Sequence, residues 1–296
     1  MSLIIILICL LSERFFWEQQ SLRRTGWFSD YSLWYQRQEL PDWMNRGFWG
    51  VILLLLPPLL GVALLQELLD GILFGIPAVL FAGLVLFFSL GPTDLDRQVS
   101  DYAAARERGQ DGEALDLARE ILNDEPPPGE PTCSQAVAER VLDQANSHLF
   151  AVIFWFLLLG PMGALFYRTA NLLSSLQAVD KGSDLYFTSR RLIAILDWLP
   201  ARLTAFSYAI AGSFEDALIG WRSYHENRFN EFADSASGIL ICTGGGAMRL
   251  DTLLESQTEE TPTEAFYLAK AAMGLVWRAL VVWVVILGFL TLAGWL

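Results

Sequence analysis

Cysteine and histidine are scarce in this chain of 296 residues. The three cysteines, Cys9, Cys133 and Cys242, are far apart and odd in number, and only His148 and His225 accompany them. This spacing indicates neither a disulfide framework nor a zinc motif. So few histidines also give no basis for a Ser-His-Asp or Cys-His arrangement. No catalytic residue and no metal site are therefore predicted.

Charge is scarce too, and positive charge most of all. Only 18% of the residues are charged, and 33 acidic residues outnumber 20 basic ones, giving a net charge of −13. This balance excludes the basic footprint of a nucleic-acid-binding protein. In place of charge, 53% of the chain is hydrophobic, with several runs near the roughly 20 residues that cross a bilayer. The sequence predicts an integral membrane protein in contact with the lipid bilayer.

The alternation of apolar and polar stretches predicts an all-α polytopic membrane protein. We expect about five membrane helices, some short or kinked, together with helical soluble segments. The predicted divisions are membrane helices 1 to 3 at 1–90 with a polar loop at 12–47, an acidic helical soluble segment at 91–147, a membrane helix with an amphipathic or re-entrant segment at 148–211, a soluble segment at 212–270, and a last membrane helix at 271–296.

Prolines give two local expectations. The acidic, Pro-rich run 123–131 predicts a break, followed by a helix from about Thr132 with Ser134 as a possible cap. Residues 198–200, Trp-Leu-Pro, are predicted to form a turn.

The distribution of Lys and Arg predicts a topology. If 199–211 crosses the membrane, the loops 12–47, 91–147 and 212–270 share one side and hold 14 of the 20 Lys and Arg residues. The positive-inside rule then assigns that side to the cytoplasm. If 199–211 is re-entrant instead, the last loops change side, and the sequence leaves both topologies open.

Several polar residues near apolar runs are predicted to form an anion-binding site. Cations and amides close to lipid are costly, and they are donors suited to a phosphate or a carboxylate. The predicted ligand-binding residues are Arg168, Asn171, Arg191 and Arg202, and the supporting acids are Glu139, Asp143 and Asp197. The alternative is interfacial anchoring, in which the arginines reach lipid phosphates. Complete pairing with the acids would make the set a structural cluster that needs no ligand.

Two other patterns have a chemical and a structural interpretation. Glu139 and Asp143 are four residues apart on a predicted helix and could ligate magnesium, although a solvated helix face is the preferred interpretation. The run Thr243 to Gly246 could offer backbone N–H groups to a phosphate. It lacks the Lys-Ser/Thr of a P-loop, so a helix break or close helix packing is preferred.

Two stretches, 139–175 and 189–205, resemble the CobD/CbiB superfamily of membrane proteins. The likeness rests on the motifs Phe-Trp-Phe, Gly-Ala-Leu-Phe-Tyr-Arg-x-x-Asn and Leu-Pro-Ala-Arg-Leu-Thr. Those proteins join an amine side arm to a corrin in cobalamin synthesis. The resemblance implies that the basic and amide positions of the family, and one acid, are retained here at Arg168, Asn171, Arg191, Arg202 and Glu139.

Acids that the synthase pattern carries are missing from this sequence. At four such positions the chain has Ser147, Ser174, Ile193 and Ala194. Carboxylates would hold magnesium against a nucleotide phosphate. Their loss argues against synthase chemistry and against a catalytic role.

Within the superfamily, the chain is most similar to the AmpE family. The run 196–203, Leu-Asp-Trp-Leu-Pro-Ala-Arg-Leu, carries this likeness together with the chain length. It implies an inner-membrane sensor or signalling protein linked to β-lactamase induction, the antibiotic response and cell-wall recycling, with the amidase AmpD or other envelope proteins as partners. No cofactor is expected for that function. The alternative is a membrane-bound amide-forming or nucleotide-using enzyme with Mg²⁺ and a nucleotide.

Overall fold

The computed structural model describes residues 5–10, 26–38, 47–70, 75–90, 94–175, 183–226, 235–250 and 267–294. Within these ranges the chain forms helices, turns and irregular segments but no strand, which confirms the all-α prediction. Residues 5–10 are helical. The longer helices are α1 (Gly26–Gln36), α2 (Gly47–Asp70), α3 (Ile76–Ser89), α4 (Asp94–Glu107), α5 (Asp111–Leu122), α6 (Glu130–Ala145), α7 (Ala151–Ser175), α8 (Asp184–Ala211), α9 (Phe214–Glu226), α10 (Ser235–Met248) and α11 (Tyr267–Leu292).

Four described helical stretches have the length and apolar composition needed to cross a membrane. They are Gly47–Asp70, Thr132–Ser175, Asp184–Ala211 and Tyr267–Leu292. The second stretch includes α6, α7 and the π-helical turn Asn146–Phe150 that joins them. Helices α3 and α10 are apolar but shorter, with 14 residues each. The chain is a multi-pass membrane protein.

Helix α8 corrects one local prediction. Its 28 residues run without interruption through Pro200, so the predicted turn at 198–200 is wrong. A proline inside a helix leaves the carbonyl four residues before it without its backbone donor. For Pro200 that carbonyl belongs to Leu196, and it accepts a hydrogen bond from Trp155 Nε1 at 3.3 Å. The side chain of Trp155 supplies the donor that the proline lacks, and the helix can therefore continue.

The chain divides into two compact units. Unit 1 comprises Met1–Pro92, Ser147–Trp198 and Ala293–Leu296, and unit 2 comprises Thr93–Asn146 and Leu199–Leu292. In unit 1, α2, α3 and α7 pack against one another. Side-chain donors to backbone carbonyls support this packing: Cys9 Sγ bonds Gly83 O at 3.3 Å, and Tyr31 Oη bonds Leu54 O at 3.2 Å.

Unit 2 is built around α6, which contacts α5, α10 and α11. Within its core, Tyr208 Oη donates to Leu142 O at 2.9 Å, and Trp283 Nε1 donates to Ser207 Oγ at 2.8 Å. Both pairs are buried, so these polar groups of the core are satisfied inside the unit.

The predicted break before α6 is present, but its details differ from the prediction. Helix α5 ends at Asn123 in a left-handed conformation, and α6 begins at Glu130, after Gly129 with φ of 96°. Ser134 lies inside α6 rather than at its cap. Its buried hydroxyl pairs with Tyr102 Oη at 3.0 Å, so the prediction that Ser134 caps the helix is wrong.

Helices α9 and α10 approach each other at glycines. A Cβ placed on Gly246 would collide with Asp216 O, and one placed on Gly220 would collide with Cys242 O. The run Thr243 to Gly246 is therefore a site of close helix packing inside α10, as preferred from the sequence. The two backbones touch where any larger residue would hold them apart.

Gly246→Ala should lower the thermal unfolding midpoint of the detergent-purified protein. Forcing extra atoms into a packed contact costs about 1–3 kcal/mol, and here the obstacle is backbone. Gly274→Ala in α11 is the matched control, because nothing lies within 4 Å of its added Cβ. The unfolding midpoint of the control variant should be unchanged or raised, since alanine favours a helix. Equal midpoints for the two variants would contradict the packing argument.

Candidate functional site

The residues predicted to bind an anion lie on α7 and α8. Arg168 is buried, with 6% of its surface exposed, whereas Arg191 is exposed and Asn171 is half-buried. These three residues belong to unit 1, and the half-buried Arg202 belongs to unit 2. Their convergence on one polar cavity remains a prediction. The burial of the Arg168 guanidinium in an apolar helix agrees with a specific role, because exposure to lipid would be costly.

The structure joins motifs that are distant in sequence. Tyr167, just before Arg168, donates a hydrogen bond of 2.6 Å from its hydroxyl to Asp197 Oδ1. Trp155 of the Phe-Trp-Phe motif reaches Leu196, the neighbour of Asp197. Asp197 was predicted as a supporting acid for arginines, and no sequence pattern indicated its tyrosine partner. Two adjacent residues of α8 therefore anchor α7 within unit 1.

A cavity of about 420 Å³ in unit 1 is formed by α2, α7 and α8. Its lining is almost entirely apolar, and it contains none of Arg168, Asn171 or Arg191. Thr188 is the polar residue of its lining, and the cavity offers no cation or amide to an anion.

The predicted supporting acids on α6 have separate partners. Asp143 pairs with Arg140 Nη1 at 2.9 Å through one oxygen and accepts from Ser237 Oγ at 2.6 Å through the other. Glu139 accepts from Gln135 Nε2 at 2.8 Å. Within the described ranges, no group of three His, Cys, Asp or Glu side chains is placed to hold a metal ion. Asp143 fastens α10 to α6 instead.

Glu139 lines the polar cleft of unit 2, which has a volume of about 450 Å³. This cleft lies between α6, α9 and α10, with Gly245 and Gly246 in its wall. Its polar lining side chains are Gln135, Glu139, Asp216, Ser223, Cys242 and Arg249. A volume of this order suits a small-molecule ligand. Of these six, only Glu139 is a site residue predicted from the sequence, because the others carry no motif and the fold alone brings them together.

The Asp216–Arg249 pair lies in the lining of the cleft. Asp216 Oδ2 accepts hydrogen bonds from Ser213 Oγ at 2.5 Å and from Arg249 Nε at 2.7 Å. The Ser213 hydroxyl first, and then the Arg249 guanidinium, lower the pKa of Asp216 below its ordinary value. Arg249 follows α10 with φ of 56°, and this left-handed conformation ends the helix beside Asp216.

Cys242 is a weak nucleophile in this setting. Burial, and then the negative charge of Glu139, raise the pKa of its thiol. A thiol that keeps its proton at neutral pH reacts slowly. The polar groups of the cleft can accept and donate hydrogen bonds and balance charge, and none of them is an activated nucleophile.

Residues 6–258 match the family described as CobD/Cbib protein. The chain belongs to this family of membrane proteins. It is 29% identical over 265 residues to the cobalamin biosynthesis protein CobD of Stutzerimonas stutzeri, covering 86% of this chain and 84% of that protein. It is 31% identical over 171 residues to the protein of the same name from Chromobacterium violaceum, covering 55% of this chain and 52% of that relative. No solved structure gives a significant match.

The Trp155 bond can be isolated by a double-mutant cycle with Pro200. Trp155→Phe removes the indole donor and should destabilise the protein by about 1–3 kcal/mol, the cost of an unsatisfied buried carbonyl. In a Pro200→Ala background the new backbone N–H can reclaim Leu196 O, so the same change should cost much less. Thermal unfolding of the four proteins in one detergent measures the coupling. Additive effects would show that Trp155 does not substitute for the missing N–H.

The Asp216 carboxylate should make the thermal stability of the protein depend on pH in the acid range. Since its pKa is lowered in the folded state, its contribution is complete above the ordinary value of 3.8 and is lost as pH falls through the lower folded value. Asp216→Asn should therefore unfold at a lower temperature than the parent at pH 7, and the gap should narrow below about pH 4. Glu215→Gln, on the exposed side of the same turn, is the control. A gap that is constant from pH 7 to pH 3 would contradict the pairing.

Proposed function

We propose that this chain is a membrane-bound CobD/CbiB-like enzyme of the amide-forming or nucleotide-using class. The observation that carries the proposal is the position of Glu139, the acid retained from the family pattern, in the polar cleft of unit 2. Family membership over 6–258 and the names of the relatives support the same class of activity. The bacterial inner membrane is the proposed location, since the helices of membrane length require a bilayer.

The cleft contains groups of opposite charge that can each contact a different part of a ligand. Glu139, steadied by Gln135, can accept a hydrogen bond from an amine or hydroxyl group of a substrate. Arg249 uses Nε to hold Asp216, and its terminal nitrogens remain suited to a phosphate or carboxylate oxygen. A substrate with a donor at one end and an anion at the other would match this arrangement.

Magnesium fits this cleft only as part of a metal–nucleotide complex. Asp216 is already held by Ser213 and Arg249, and Glu139 is the other carboxylate in the lining. Mg²⁺ is commonly bound by one or two carboxylates together with substrate phosphates. When bound, it would neutralise phosphate charge, and Glu139 would be its protein ligand.

The missing acids favour a second function. Ile193 and Ala194 replace acids of the synthase pattern, and both are buried, with 8% and 2% exposure. An apolar pair packed into the protein cannot bind magnesium. Under this second proposal the chain is an inner-membrane signalling protein linked to β-lactamase induction and cell-wall recycling. Arg168, Asn171, Arg191 and Arg202 would bind an anionic signal, and the amidase AmpD or another envelope protein would be the partner.

Two genetic assays separate these functions. The enzyme proposal predicts that this chain restores cobalamin-dependent growth to a bacterium lacking its CobD/CbiB protein. Glu139→Gln should reduce that rescue at least roughly tenfold, because losing a charged contact costs about 1.4 kcal/mol or more. Glu113→Gln, an exposed acid on α5, should rescue like the parent.

The signalling proposal predicts a different outcome for the same set of proteins. Without any cobalamin rescue, deletion of the gene in its own host should change β-lactamase induction. The parent and Glu139→Gln should both restore it, and Arg168→Gln should not. Immunoblots of membrane fractions must give equal amounts of each variant. Cobalamin rescue that depends on Glu139 would reject the signalling function as the main one.

A further inference from the structure

Helix α7 is broken in the middle of its apolar run. Gly160 has φ of 65° and ψ of −153°, which is not helical, and Pro161 follows it. Such a backbone conformation suits glycine and is strained for other residues. The break separates 151–159 from 161–175.

The two halves of α7 fold sharply against each other. A Cβ on Gly163 would collide with Trp155 O and would lie 2.7 Å from Leu159 Cβ. In a straight helix, residues eight apart are separated by about 12 Å along the axis. The start of the second half therefore lies against the last turns of the first half, and α7 cannot be one straight rod.

Neither half is long enough to cross a bilayer. The helix before the break continues upstream into α6, but α6 carries Glu139, Arg140 and Asp143, so the apolar run before the break is 149–159, about 16.5 Å of helix. The run after the break has seven residues before Arg168, about 10 Å. The hydrocarbon core is about 30 Å thick. A straight helix from Ser147 to Arg168 would span about 32 Å and leave these residues at opposite faces. The folded helix returns Arg168 toward the face at which the chain enters.

The surroundings of the break suit a membrane-embedded turn. Irregular backbone is tolerated at membrane depth where protein covers it or where it lines a cavity. Pro161 and Gly163 are both buried, whereas Leu158, Leu159 and Met162 are exposed, with 59%, 53% and 39% of their surfaces accessible. At this turn the backbone is covered by protein, and the exposed side chains are large and apolar. This is the arrangement expected beside lipid tails.

We infer that α7 is a re-entrant segment, entering and leaving the membrane at one face. Arg168 and Asn171 then lie at the face from which the chain enters α7. An anion bound by these residues comes from the compartment that holds the segment 91–147, which the sequence predicts to be soluble. This inference concerns sidedness and holds for either proposed function.

Cysteine accessibility in the full-length protein tests the inference. Cys9 and Cys133 are buried, so Cys242→Ser provides the background protein. Glu113→Cys reports the side of the segment before α7, and Ser175→Cys reports the end of α7. Both positions are exposed. A membrane-impermeant maleimide is applied to intact spheroplasts and to inside-out vesicles, with a cytoplasmic protein as the control for leakage.

A re-entrant α7 predicts that the Glu113→Cys and Ser175→Cys variants are labelled in the same preparation. Labelling of the two variants in opposite preparations would show that α7 crosses the membrane and would overturn the inference. If the Ser175→Cys variant reacts in neither preparation, but reacts after denaturation, the end of α7 lies within the hydrocarbon, and the inference is overturned as well. The assay needs no activity, so its result is independent of the complementation experiments.

Discussion

The hydrogen bond from Trp155 to the carbonyl of Leu196 meets the constraint that governs every helix of a membrane protein, namely that backbone polar groups need a partner. Pro200 leaves that carbonyl without a backbone donor, and an unsatisfied buried carbonyl costs about 1–3 kcal/mol. The indole N–H supplies the donor and at the same time joins α7 to α8. The neighbouring bond from Tyr167 to Asp197 satisfies a carboxylate in the same way. Polar groups that would be costly to expose to lipid thus form the hydrogen bonds that join one helix to another.

The need to give buried polar groups a partner explains why the residues of a family motif need not all be catalytic. The Phe-Trp-Phe motif, the tyrosine before Arg168 and the Leu-Asp-Trp-Leu-Pro run meet one another in the folded unit. Their pairing maintains a helix through a proline, which is a requirement of the fold. Ile193 and Ala194 are buried apolar residues of the same helix and take no part in these bonds.

Composition and apolar periodicity were sufficient to predict an all-α membrane protein, because long uncharged runs have few other stable forms. The local errors had long-range causes. Pro200 suggested a turn, and only the fold shows that an indole from α7 compensates for it. Ser134 suggested a cap, and a tyrosine from α4 uses its hydroxyl instead. The cleft was missed for a similar reason, since Asp216 and Arg249 are 33 residues apart and meet through the α9–α10 packing.

The glycine contacts between α9 and α10 determine how far the wall of the cleft can change shape. Where two main chains touch, no side chain can rotate aside to make room, so that wall has a fixed shape. Under the enzyme proposal, substrate selection would then rest on the side chains that line the cleft, while the backbone wall would keep its width fixed. Under that proposal, a substrate wider than the cleft would meet backbone that cannot yield.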